Sequence, residues 1–217
     1  MSMLNLAGMT DHTLLKPQAT EKDIVTLCHE AQQHKFATVC VNPTYVQTAA
    51  KLLRGTGIGV AAVVGFPLGA TFTEVKVQEV FMVKAHGGKE VDMVINVGWA
   101  KSGDWEAVER DIAQVVAAAH GCGLLIKVII ETSLLTEDEK RTVAEIVKRS
   151  GADYIKTSTG FAGGGATVQD VRNLKAWVGE KVKVKASGGI RTREFAVELI
   201  EAGAERLGTS AILEGLV

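Results

Sequence analysis

Eight short runs rich in Val, Ile, Ala and Leu recur along the chain, with polar, glycine-bearing turns and amphipathic stretches between them. They are HTLL (12–15), ATVCVN (37–42), VAAVVGF (60–66), VDMVIN (91–96), LLIKVIIE (124–131), DYIKTST (153–159), VKVKASG (182–188) and ERLGTSA (205–211). A strand that reads as an unbroken apolar run is covered on both faces, and helical crossovers between such strands make the sheet parallel. Eight successive units of this kind predict an α/β fold, a TIM (β/α)8 barrel with eight parallel strands. The alternative is an open doubly wound sheet, but no G-x-G-x-x-G follows the early strands. No Pro/Gly/Ser-rich linker interrupts the pattern, so residues 1–217 read as one domain.

The helices between the runs carry recognisable ends. Thr136 and Glu139 have capping-box spacing ahead of the apolar positions Val143, Ile146 and Val147. Phe195, Leu199 and Ile200 form another apolar face, and Gly203 stops that helix.

Three lysines contradict the apolar pattern. Lys127 lies within LLIKVIIET, Lys156 within ADYIKTSTG and Lys185 within VKVKASGG. A lysine is almost never fully buried unless the cost of its charge is offset. Lys89 and Lys183 stand where strands enter the barrel and can extend to water. The other three sit mid-strand or toward the C-terminal end, where barrel enzymes build their sites. Lys127 to Lys156 and Lys156 to Lys185 are each 29 residues apart, about one βα unit, which places them at similar heights on neighbouring strands. By alternation, Lys156 shares a face with Tyr154 and Ser158, and Lys185 with Ser187. Asp92, in EVDMVINVG, is a carboxylate inside an apolar strand with Asn96 on its face. Alone it reads as a hydrogen-bonded structural residue; beside inward lysines it becomes a candidate for proton transfer.

The last two runs end in small residues, SGGIRT (187–192) and GTSA (208–211). Loops after the seventh and eighth strands of such barrels often hold phosphate, and Gly188, Gly189 and Ser210 suit that use. Ordinary tight turns are the plainer reading of the same glycines. GFAGGGAT (160–167) is a third glycine-rich loop with the composition of a lid.

Other chemistries find less support. The five histidines show neither H-x-H nor HExxH spacing, so no metal is expected, and no GxSxG offers a serine nucleophile. The net charge of −1, with acids and bases mixed, argues against nucleic acid or a membrane surface as partner. No apolar run approaches the ~20 residues of a membrane span. The N-terminal MSMLNLAGMTDHT lacks the pattern of a signal peptide. Three cysteines without a CxxC pair fit a reduced, cytoplasmic protein.

Taken together, DHTLLKP, EVDMVINVG, LLIKVIIET, YIKTSTGF, VKASGGIRT and GTSA resemble the deoxyribose-phosphate aldolases, a class I aldolase family, over nearly the whole chain. The resemblance implies a TIM barrel and reversible cleavage of 2-deoxy-D-ribose 5-phosphate to glyceraldehyde 3-phosphate and acetaldehyde. It implies Lys156 as the Schiff-base lysine with Lys185 beside it, and Asp92 with Lys127 and a water for proton transfer. Gly160, Gly188, Gly189 and Ser210 would hold phosphate, while Asp11, Thr13 and Cys40 would line the pocket. It implies no external cofactor, small-molecule phosphosugar and acetaldehyde partners, and a homo-oligomer, dimer or tetramer. Two departures stand out: Phe161 occupies a position where some members carry lysine, and the ending ILEGLV lacks the C-terminal tyrosine of some members. The other readings are a different Schiff-base aldolase or transaldolase, a Lys/Asp barrel decarboxylase, and a non-catalytic phosphosugar-binding barrel.

Overall fold

The computed structural model describes residues 5–211, and the C-terminal ILEGLV stretch noted above lies outside them from Ile212 onward. Eight parallel strands close into a single barrel in sequence order, and β8 pairs back to β1. The strands are β1 (Thr10–Leu14), β2 (Thr38–Val41), β3 (Gly59–Val64), β4 (Glu90–Val94), β5 (Leu125–Ile129), β6 (Tyr154–Lys156), β7 (Lys183–Ser187) and β8 (Arg206–Thr209). The helices are α1 (Glu21–His34), α2 (Val46–Leu52), α3 (Thr73–Ala85), α4 (Val97–Lys101), α5 (Trp105–Gly121), α6 (Glu137–Ser150), α7 (Val168–Val178) and α8 (Arg193–Glu201). Each strand from β1 to β7 is followed by one helix, except β4, which is followed by α4 and α5.

The two faces of the strands divide the apolar residues cleanly. Val91 and Met93 on β4, Ile126 and Val128 on β5, Ile155 on β6 and Val184 on β7 face outward into one core shared with the helices. Inside the barrel, Cys40, Ala61 and Val63 form a separate small apolar cluster with Leu15 and Phe66. Val94 and Ile129 also lie on the inward face of β4 and β5, but the charged side chains of the interior, Asp92, Lys127, Lys156 and Lys185, share that face, while the larger apolar core lies toward the helices. Lys89 and Lys183 are exposed, as their positions at the strand entrances imply. The capping box at the start of α6 is formed: the Thr136 hydroxyl accepts from the Glu139 amide and the Glu139 carboxylate accepts from the Thr136 amide.

Several strands are shorter than the apolar runs, for local reasons. β5 ends at Ile129 because Glu131 turns into the left-handed region at φ 54°, which no strand accommodates. β6 ends at Lys156, where the Thr157 hydroxyl begins to trade hydrogen bonds with Ser187. β1 begins two residues earlier than HTLL suggests, since Thr10 and Asp11 look like loop residues but pair with Leu207 and Gly208 of β8. Asn96 is not on β4; it caps α4, its side chain accepting from the Trp99 amide.

Candidate active site

Lys127, Lys156 and Lys185 all point into the barrel, and their amines converge on one carboxylate. Asp92 Oδ1 accepts from Lys127 at 2.7 Å, and Asp92 Oδ2 accepts from both Lys156 and Lys185 at 2.8 Å. The strand register differs from the even heights that the 29-residue spacing suggests. Lys156 pairs with Lys185, but Lys127 pairs with Tyr154, two residues before Lys156. The amines meet because Asp92, in register with Lys127, offers its two oxygens to different neighbours.

A second tier lies toward the barrel floor. Asp11 accepts a very short hydrogen bond from Lys185 and a 2.6 Å bond from Arg206, and Lys127 stands 3.6 Å from it. Glu90 pairs with Lys127 at 2.5 Å and with Arg206 at 3.4 Å. Lys183 and Arg206 both lie over the Tyr154 ring, 5.7 and 5.5 Å from its centre. Burial of so many charges is tolerable only because each carboxylate is shared between cations.

The three lysines do not respond alike. Burial works to discharge all of them, but Asp92, Asp11 and Glu90 outweigh it at Lys127 and hold that amine well above the ordinary lysine range. Asp11 and Asp92 do the same for Lys185. At Lys156 burial prevails: Asp92 opposes it, and the neighbouring Lys185 charge assists it, so this lysine is pushed below its usual value. Burial raises the Asp92 carboxyl, yet Lys127, Lys156 and Lys185 overcome that and keep it well below the carboxylate range. Asp11 is likewise held low, by Lys185, Lys127 and Arg206 against burial.

Above this cluster a cavity of about 390 Å³ opens at the C-terminal ends of the strands. Lys156 is the member of the charged cluster that reaches it. Thr13, Gly160, Gly188, Gly189 and Ser210 line its walls, as does Phe161, half exposed at the mouth with its ring edge-on to Phe66. Asp11 and Cys40 lie beneath the cavity rather than on its surface, both fully buried. Burial, with the Asp92 charge adding to it, pushes the Cys40 thiol up to about 11, so it stays protonated at neutral pH. Lys16 and Arg191, which the sequence motifs do not single out, bring two exposed cations to the rim.

The loops after β5, β6 and β7 are packed into one another. The Ala166 amide donates to both Ser187 O and Gly188 O. A Cβ on Gly165 would sit 2.5 Å from Gly188 O, so only glycine permits this approach. A Cβ on Gly164 would strike the side chain of Ser133, in the loop after β5. Glu131, buried and left-handed, accepts from the Thr159 amide at 3.2 Å and from the Thr159 hydroxyl through a very short bond. A strained non-glycine residue persists only where its surroundings hold it, and here it ties β5 to the loop carrying Gly160. Glu131, Arg206 and Glu90 were invisible as site residues in the sequence, where each looks like an ordinary strand-end charge.

Among the described residues no group of three or more His, Cys, Asp or Glu side chains is arranged to hold a metal ion. Among the described residues no helix is long and apolar enough to cross a membrane.

Comparison with known proteins agrees with the geometry. The model of the DeoC/LacD family aldolases matches residues 6–216. A deoxyribose-phosphate aldolase of Desulfitobacterium hafniense is 76% identical over 211 residues, spanning 97% of each chain. One from Bacillus mycoides is 53% identical over 208 residues, covering 96% of this chain and 93% of that one. Among solved structures, the tetrameric deoxyribose phosphate aldolase from Aeropyrum pernix superposes with a TM-score of 0.88 at 36% identity, covering 94% of this chain and 86% of that chain.

Proposed function

Since the chain belongs to the DeoC/LacD aldolase family, we propose that it cleaves 2-deoxy-D-ribose 5-phosphate reversibly to D-glyceraldehyde 3-phosphate and acetaldehyde through a Schiff base on Lys156. The observation that carries this reading is the contrast among three buried lysines. Only Lys156 is both shifted toward the neutral amine and open to the cavity.

Amine attack on an aldehyde needs an uncharged lysine, and at an ordinary pKa of ~10.4 only ~0.04% is uncharged at pH 7. Burial and the adjacent Lys185 charge lower the Lys156 pKa and so lessen that handicap, against the opposing pull of Asp92. The Lys156 amine adds to C1 of the open-chain sugar, and loss of water gives a protonated imine. Removal of the C3 hydroxyl proton then breaks the C2–C3 bond. That bonding pair flows into the imine, leaving an enamine on Lys156 and releasing glyceraldehyde 3-phosphate. Protonation of the enamine at C2 restores the imine, and hydrolysis frees acetaldehyde. Asp92, bridging Lys127, Lys156 and Lys185, with a water beside it, supplies the proton relay. Lysine, carboxylate and water carry every step, so the mechanism calls on no external cofactor.

The phosphate end lies against the loops carrying Gly160, Gly188, Gly189 and Ser210, which line the cavity and whose small residues let a phosphate approach the backbone closely. Phe161 contributes no charge there, and Lys16 and Arg191 supply it instead. A homo-oligomeric state, dimer or tetramer, draws support from the tetrameric Aeropyrum pernix relative. A cytoplasmic, catabolic role fits a phosphosugar substrate and the free cysteines Cys28, Cys40 and Cys122.

The test is borohydride reduction in the presence of acetaldehyde, followed by peptide mapping. One ethyl group is expected on Lys156, and Lys156→Ala should abolish cleavage. A non-catalytic phosphosugar-binding barrel or a non-covalent decarboxylase would yield no adduct, and labelling solely at another lysine would overturn the assignment.

A further inference from the structure

The charges inside the barrel do not balance. Lys127, Lys156, Lys185 and Arg206 supply four cationic groups, and Asp11, Asp92 and Glu90 supply three carboxylates. Among the described residues no other strand adds a carboxylate to offset the excess: β2 contributes the neutral Cys40, β3 contributes Ala61 and Val63, and β6 adds the Tyr154 ring. Lys183 of β7 extends outward to solvent across the Tyr154 ring. One proton too many is therefore present when every lysine is charged, in a region where net charge is expensive.

We propose that Arg206 and Glu90, at the barrel floor, are positioning residues for the reaction, fixing Asp11 and Lys127 so that the proton the cluster gives up is the one on Lys156. This rests on the Schiff-base reading above. The geometry gives each of the other cations a carboxylate contact that Lys156 lacks. Lys185 has Asp11 besides Asp92, and Lys127 has Glu90 besides Asp92. Arg206 has Asp11 and Glu90, whereas Lys156 shares Asp92 with two competitors. A guanidinium is charged at any working pH, so Arg206 is a fixed charge that the lysines must accommodate. Without it Asp11 would keep Lys185 on one oxygen and have no partner holding the other.

Substitutions at the two floor residues should act in opposite directions. Arg206→Met removes a cation, leaves three lysines against three carboxylates, and lets Lys156 keep its proton. Its ascending limb in kcat/KM should move to higher pH. Glu90→Gln removes an anion and should move the limb to lower pH. Arg206 pairs in register with Lys185, which pairs with Lys156, so the charge lies two strand spacings from Lys156. At roughly 10 Å and an effective dielectric near 20, each shift should be about one pH unit. The double variant should return toward the native position, and Arg206→Lys should stay near it.

The experiment is the pH dependence of kcat/KM for deoxyribose 5-phosphate cleavage in the full chain and these four variants, each checked for native far-UV circular dichroism. If Arg206→Met does not fold, the downward shift of Glu90→Gln carries the test by itself. A general loosening of the floor would lower activity in both single variants without opposite displacements. Limbs that coincide with the native one, or that move the same way, would overturn the proposal. Failure of the Schiff-base reading is separable: it would appear as absence of the ethyl adduct at Lys156 in the native enzyme.

Discussion

Lys185→Leu tests the proposal that the Lys185 charge makes Lys156 nucleophilic. Lys156 and Lys185 each donate to the same Asp92 oxygen at 2.8 Å, so their nitrogens stand no farther apart than twice that distance. Two ammonium groups ~5 Å apart at an effective dielectric of ~20 repel by ~3 kcal/mol, equivalent to ~2 pKa units. Leucine removes the repulsion and leaves the Asp92 attraction in place, so the Lys156 pKa should rise. The uncharged fraction near pH 7 would then fall by up to ~100-fold. The bulk of the side chain is nearly kept, but the exchange is not neutral for stability. Asp11 and Asp92 each lose a partner, and breaking a buried pair costs about 3–5 kcal/mol. Arg206 and Lys127 remain beside Asp11 and offset part of that cost. The folded variant should therefore melt earlier while retaining its barrel. Its kcat/KM, measured from about pH 6 to about pH 10, should be severely reduced at neutral pH and recover partly on the alkaline side. An ascending limb at the native position, in a variant shown to be folded, would refute the idea that Lys185 tunes Lys156.

Three further variants probe other parts of the molecule. Gly189 has a φ of 77° and open space where a Cβ would go, so Gly189→Asp places a negative charge at the cavity wall with only local backbone strain. Cleavage of deoxyribose 5-phosphate should fall steeply while unphosphorylated deoxyribose is much less affected; equal losses would assign the loop to folding. Phe161→Lys adds a cation at the half-exposed rim and should lower KM for the phosphorylated substrate modestly, read by steady-state kinetics against both substrates. Thr136→Ala deletes the α6 capping box at a residue that does not line the cavity, and should lower the melting temperature by a few degrees while changing kcat/KM little.

The barrel was legible because its strands announce themselves as Val- and Ile-rich runs at intervals of about one βα unit, and the three lysines were legible because they break those runs. What surrounds them was not. Arg206 and Asp11 are almost the whole chain apart and meet only because β8 closes on β1. Glu90 stands at the entrance of β4 and looks like the exposed Lys89 beside it, yet the pairing of β4 with β5 turns it toward Lys127. Periodicity tells which way a side chain points along one strand, but not which charges meet it from the other side of a closed sheet. The equal spacing of the lysines misled about register for the same reason, since the offset of β5 against β6 is set by the closure of the barrel. The left-handed Glu131 gave no signal at all, because nothing in KVIIET marks a backbone turn.

Barrel enzymes are commonly viewed as a rigid frame bearing interchangeable loops, each free to be lengthened, shortened or grafted. That picture does not hold around this cavity. Gly165 seats directly on the carbonyl of Gly188, the Ala166 amide is shared between Ser187 and Gly188, and Gly164 rests on Ser133. The segments after β5, β6 and β7 therefore constitute one unit of inheritance. Redesign toward other aldehydes would have to randomise or transplant all three as a block, because an insertion in any one displaces the backbone its neighbours are moulded against.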